Sequence, residues 1–160
     1  MMNKEYIIKS IGADAVEKSG ALDLVWRVFL QFEAPEYTPQ GAAEFKEYIE
    51  PKFVKRKIRE GTLTCWGSFD GDKIVGFIAV RPPCHVSLFF VDADYHRQGI
   101  GRALYDTLLL HCKQSEEPLE VTVNASPYAL KIYKRLGFAP TDDEKTVNGI
   151  RFIPMKHTVV

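Results

Sequence analysis

The sequence predicts an α/β chain of the α+β-like kind, a mixed sheet with helices on both faces. Three observations predict it. Strand-like and helix-like apolar periods alternate in the order β, α, α, β, β, β, α, β, α, β, β. Cys84 to Val91, CHVSLFFV, is a mostly apolar run, as in a central strand covered on both faces. Two turn signals, Asp70-Gly71-Asp72 and Asn148-Gly149, add antiparallel hairpins.

In chain order, Tyr6 to Ile8 reads as a short strand, and Asp14 with Glu17 as a capping box opening a helix. Leu22, Val25, Trp26, Phe29 and Leu30 continue that helix on one apolar face, and Trp26, Phe29 and Phe32 read as core. Glu33 to Tyr37 breaks the pattern. Thr38 and Pro39 restart a helix, because proline at the first helical position gives up a hydrogen bond that was never available. Pro51 opens a further helix ending at Gly61. Leu63 to Phe69 and Lys73 to Val80 form the first hairpin, interrupted by Pro82 and Pro83. Ile100, Ala103, Leu104, Thr107, Leu108 and His111 make one helical stripe, and the strand Leu119 to Val123 follows Pro118. Ser126 and Pro127 cap a helix carrying Ala129, Ile132, Tyr133 and Leu136, stopped by Gly137. Phe138 to Val147 and Ile150 to His157 form a closing hairpin in which Pro154 requires a bulge or an edge.

A length of 160 residues, with no repeat and no linker, predicts one domain over residues 1–160. Lysine plus arginine equals aspartate plus glutamate, 21 each, so the footprint of a general nucleic-acid binder is missing. Cys65, Cys84 and Cys112 are an odd number without CxxC spacing, which predicts reduced thiols, no disulfide framework and no metal site. No signal peptide and no membrane-spanning run is visible, so the expected location is cytoplasmic.

The segment richest in chemistry is His96-Arg97-Gln98-Gly99-Ile100-Gly101-Arg102-Ala103, between an apolar strand and an amphipathic helix. Unpaired amides at a helix start lie at the positive end of its dipole, and glycines let a diphosphate approach the main chain. Leu104 stands where a dinucleotide fingerprint needs its third glycine, and the P-loop lysine is absent. A phosphate-bearing cofactor of another kind is left.

Here the sequence resembles the GCN5-related N-acetyltransferase (GNAT) superfamily, whose pyrophosphate signature, Gln or Arg followed by xxGxG or xxGxA, matches His96 through Gly101. His96 in the Gln or Arg position is a departure. VTVNASPYALKIYKRLGF resembles the family's second cofactor segment, so the likeness extends from Cys84 to Phe138 and, less specifically, over nearly the whole chain. It implies a mostly antiparallel sheet in which the Cys84 to Val91 strand ends in a bulge and splays from the Leu119 to Val123 strand. Acetyl-CoA would lie in the gap, paired by backbone near Phe89, Phe90 and Val91. The amides of Gln98, Gly99, Ile100, Gly101 and Arg102, with His96 and Ala103 at the ends of the loop, would hold the diphosphate, and Arg97 or Arg102 would reach a phosphate. Asn124 or Ser126 would bond the pantetheine amides.

The resemblance further implies that Tyr133 protonates the departing thiolate, since a phenol keeps its proton at neutral pH. Many relatives carry a glutamate base on the strand before the loop. This strand has none, and His85 is its only ordinary base; Asp92, or Glu33 and Glu36 acting through waters, are the alternatives. Glu33, Glu36 and Tyr37 suit an amine-bearing acceptor. The function implied is acetyl transfer from acetyl-CoA to a primary amine of a small molecule or peptide, by direct attack in a ternary complex. A non-catalytic CoA-binding module on the same fold is the alternative, and exposed strand edges leave a homodimer open.

Overall fold

The computed structural model describes residues 5–160. Its elements are β1 (Ile7–Ile11), α1 (Ala15–Lys18), α2 (Ala21–Phe32), a 3-10 turn (Ala34–Glu36), α3 (Pro39–Tyr48), α4 (Pro51–Arg59), β2 (Thr64–Asp70), β3 (Lys73–Arg81), β4 (His85–Val91), a second 3-10 turn (Ala93–Tyr95), α5 (Ile100–Cys112), β5 (Leu119–Ala125), α6 (Leu130–Leu136), β6 (Ala139–Pro140), β7 (Lys145–Val147) and β8 (Ile150–Val159).

The strands form an eight-stranded mixed sheet in the order β1-β2-β3-β4-β5-β8-β6, with β7 paired to β8 off that path. Only β4 and β5 run parallel among the described pairs. Alternation along the strands sends Phe77, Ala79, Leu88 and Phe90 to one face, under Val16, Val25, Phe29 and Val54 of α1, α2 and α4. Ile78, Val80, Val86, Val121 and Val123 go to the other, under Leu104, Tyr105 and Leu108 of α5. Each fully buried side chain of this size contributes about 1.5–3 kcal/mol, so both helical layers are firmly attached.

Several expectations are corrected. Asp14 sits at the α1 N-cap with helical backbone and makes no cap bond. It faces Arg59 at 3.7 Å while Glu17 pairs with Lys55 at 2.6 Å, so both acids of the supposed capping box serve the α1 to α4 contact. The chain turns at Gly20, and one expected helix becomes two. Pro154 needs no bulge, and the expected edge is present, since β6 pairs no further than Pro140 opposite Met155 and β7 pairs only from Phe152. Its carbonyl accepts from the Thr141 amide at 2.9 Å, so its missing N–H faces the two-residue β6 side and leaves the β5 ladder whole. Cys84 and Cys112 are not reduced thiols but a disulfide, with Cα atoms 6.0 Å apart, because α5 returns over the sheet and ends beside the start of β4; Cys65 alone is free. The thiol argument for the cytoplasm falls with it.

The feature that positions the site is the β4 to β5 pairing, confined to His85 with Thr122 and Val86 with Val123. The next residue, Ser87, is skipped in the β3 ladder, which steps from Val80 opposite Val86 to Ala79 opposite Leu88. A bulge bends its strand, and this one turns β4 away from β5 immediately after their last paired residues. The bulge therefore lies near the start of β4, not at its end.

Candidate active site

The gap beyond Val86 and Val123 widens into a cleft of ≈ 730 Å³. The Asp92 amide donates to the Val75 carbonyl at 2.9 Å, so by alternation the peptide groups of Phe90 face β3 and those of Phe89 and Val91 face the gap. The Val91 carbonyl accepts from His96 Nε2 at 2.8 Å. Phe90 thus offers the cleft no backbone group, and its ring packs against Phe45.

Past the second 3-10 turn, Arg97 and Gly99 adopt left-handed φ of 64° and 81°, and α5 begins at Ile100. A Cβ on Gly99 would meet nothing within 4 Å, so the main chain is open there. The Ala103 amide already donates to the Gly99 carbonyl at 3.0 Å, which leaves those of Ile100, Gly101 and Arg102 as helix-start donors; Ala103 is not one. Arg97, Arg102 and Arg135 line the same end of the cleft, and Arg102 Nη2 donates to the Arg135 carbonyl at 3.4 Å. The Gln98 side chain turns aside to accept from the Tyr6 hydroxyl. His96 stacks on Phe32, and Phe32 on Tyr128 at 4.9 Å, a three-ring stack joining the loop, the end of α2 and the segment before α6. Asp92 is taken up by Arg27 at 2.6 Å and the Asp94 amide at 3.0 Å.

Across the gap, exposed Asn124 lines the cleft. Ser126 is buried, its Oγ accepts from the Ala129 amide at 3.2 Å, and its hydroxyl faces the Glu33 carboxyl and favours its charged form. Tyr133 is buried edge-on to Phe138 and Phe89, with ring centroids at 5.3 and 6.1 Å. Burial raises its phenol above the ordinary value, helped by the Glu33 charge and by Tyr105, so it keeps its proton.

Glu33 stands at the end of α2 and lines the cleft. Burial pushes its carboxyl up to about 7, with Ser126 opposing and Glu36 adding. Tyr37 and Tyr128 are both raised, first by burial and then by Glu33. Glu36 does not join this lining; its Oε2 is buried without a hydrogen-bond partner among the described residues. His85 sits where β4 and β5 pinch together, its Nδ1 2.8 Å from Thr122 Oγ1, and burial with nearby Arg81 pushes it down to about 4. It is a neutral ring at neutral pH. Sequence reasoning missed Arg81, Tyr128, Ile132 and Arg135 in this lining, and read Phe32 as core alone. Only Arg135 left a trace, a cation two residues after Tyr133.

The acetyltransferase (GNAT) domain model matches residues 33–159, from Glu33 to the end of β8. The chain belongs to the GNAT acetyltransferase family. It is similar to the uncharacterized N-acetyltransferase YafP of Escherichia coli (strain K12), 29% identical over 109 residues, which is 68% of this chain and 66%, just under two thirds, of that relative. In fold it is similar to a GCN5-related N-acetyltransferase from Rhodopseudomonas palustris (TM-score 0.80, 16% identity, 99% of each chain). The PaiA N-acetyltransferase from Thermoplasma acidophilum in complex with coenzyme A gives a TM-score of 0.76 at 15% identity, over 96% of this GNAT chain and 98% of that one.

Proposed function

We propose that this protein transfers an acetyl group from acetyl-CoA to a primary amine of a small molecule or peptide, by direct attack with both substrates bound. The observation that carries the reading is the opening of β4 from β5 after Val86, which leaves the Phe89 and Val91 peptide groups facing a gap that leads to the open α5 amides. An extended chain of amides fits the first, a diphosphate the second. Phe89 and Val91 would hold the pantetheine arm, with Asn124 across from them. The amides of Ile100, Gly101 and Arg102 would hold the diphosphate, with Arg97, Arg102 and Arg135 as charged partners. When bound, acetyl-CoA supplies a thioester carbonyl open to attack by an amine.

Tyr133 keeps its phenol proton and lines the same cleft, which suits it to protonate the departing sulfur. His85 is held neutral by burial and Arg81, so accepting a proton from an ammonium falls to another group. The test is release of free thiol from acetyl-CoA across a panel of primary amines, for the wild type and Tyr133→Phe. We expect release with at least one amine, and a loss of about 10²-fold in kcat for Tyr133→Phe with acetyl-CoA affinity unchanged. Acetyl-CoA binding without release by any amine would make the protein a binding module.

A further inference from the structure

We infer that Glu33 is the general base of the transfer and that the Ser126 hydroxyl, fixed by the turn before α6, positions its carboxylate. The inference rests on the acetyl-transfer reading above. Glu33 caps the end of α2, lines the cleft shared with Tyr133 and forms no ion pair among the described residues. Buried Ser126 faces it from the same cleft lining while its Oγ is fixed by the Ala129 amide, which sets the hydroxyl of the segment leading to Tyr133 beside the carboxylate. The preceding residue, Phe32, is locked in the stack between His96 and Tyr128. A base with so fixed a place needs little rearrangement to meet an amine.

The groups facing Glu33 account for its tuning. From its own 3-10 turn come Glu36 and Tyr37, from the segment before α6 Ser126 and Tyr128, and from α6 Tyr133; Arg151 of β8 acts on Tyr37. No cation opposes burial of the carboxyl directly, and burial brings it to about 7, matched to proton removal near neutrality. In the step, Glu33 takes one proton from the acceptor ammonium. The nitrogen to carbon bond forms as the carbon to sulfur bond breaks, and Tyr133 gives its proton to the sulfur. The second proton lost from nitrogen restores Tyr133, and Glu33 returns its own to solvent, so one proton is released in all.

The test compares ethylamine, an ammonium at neutral pH, with trifluoroethylamine, already neutral there. Glu33→Gln should lose about 10²-fold with ethylamine and only a few-fold with trifluoroethylamine. Equal losses with both would overturn the base assignment while leaving acetyl transfer intact, and no turnover of any amine by the wild type would overturn both. For the positioning role, the ionisation of Glu33 is followed by carbon-13 NMR of its carboxyl against pH. Its midpoint should rise in Ser126→Ala and return in Ser126→Thr. An unmoved midpoint with weakened acetyl-CoA binding would make Ser126 a cofactor contact and overturn that part.

Discussion

A carboxyl held near 7 has a consequence for stability with a definite sign. Folded Glu33 keeps its proton to about pH 7, whereas its ordinary value is 4.5, so folding takes up a proton between these limits and the buried carboxylate costs free energy above them. Glu33→Gln removes the cost and should stabilise the fold by about 1–3 kcal/mol at pH 8, the gain vanishing by pH 4. Urea unfolding at the two pH values measures this; an equal effect at both would show that Glu33 is not held protonated by the fold. His85 acts in the opposite direction: its folded value near 4 against 6.5 means stability lost as pH falls through that window. The glycines of the phosphate loop differ too. Gly99 has a φ of 81°, where a side chain costs roughly 1–2 kcal/mol, while a Cβ on Gly101 would meet the Phe89 ring at an ordinary 3.5 Å. Gly99→Ala should weaken acetyl-CoA binding by about tenfold and Gly101→Ala hardly at all, and calorimetry separates them. Of these residues the Gly99 turn into a helix was legible from spacing, as was the helix that carries Tyr133 from its apolar stripe. The meeting of Ser126 with Glu33 in one cleft and the Cys84 to Cys112 pair were not, because only the folded chain brings residues so distant in sequence together.

Among the elements, β4 and β5 show what patterning reaches and where it stops. The apolar run of CHVSLFFV reveals a central strand, but its bulge at Ser87 leaves no mark in an alternation that the run itself hides. The capping box failed because Asp14 and Glu17 have partners on α4, whereas Pro154 takes the edge expected for it, on the side of β8 where β6 ends. The Thr38 cap was legible and forms, its Oγ1 accepting from the Gly41 amide at 3.1 Å. A further tie lies at that helix start, where a Cβ on Gly41 would run into the Gly149 carbonyl oxygen, so the start of α3 rests backbone to backbone on the β7 to β8 turn. Gly41→Ala should push that turn off, lower stability by about 1–3 kcal/mol and raise the KM for the amine, since Tyr37 and Ile150 flank the contact in the cleft lining. Acetyl-CoA affinity, which the proposed function assigns to α5 and the gap, should stay. A thermal melt with an acetyl-CoA titration checks both halves, and a parallel loss of acetyl-CoA binding would refute the separation.

At the scale of the whole molecule, alternating periods foretold two helical layers around a mixed sheet, and the layers lie as those periods require. The disulfide spans this architecture. Thiol titration of the unfolded protein without reductant should therefore count one thiol, Cys65, and a count of three would remove the bridge. The cleft has the open β4 edge and the α5 start among its walls, together with the end of α2 that carries Glu33. In the proposed function the gap between β4 and β5 holds acetyl-CoA. Calorimetric titration of acetyl-CoA into the wild-type protein, with NADH as the control, puts this to the test. Saturable one-to-one binding of acetyl-CoA and none of NADH is the predicted result, and folded protein that takes up no acetyl-CoA would contradict it.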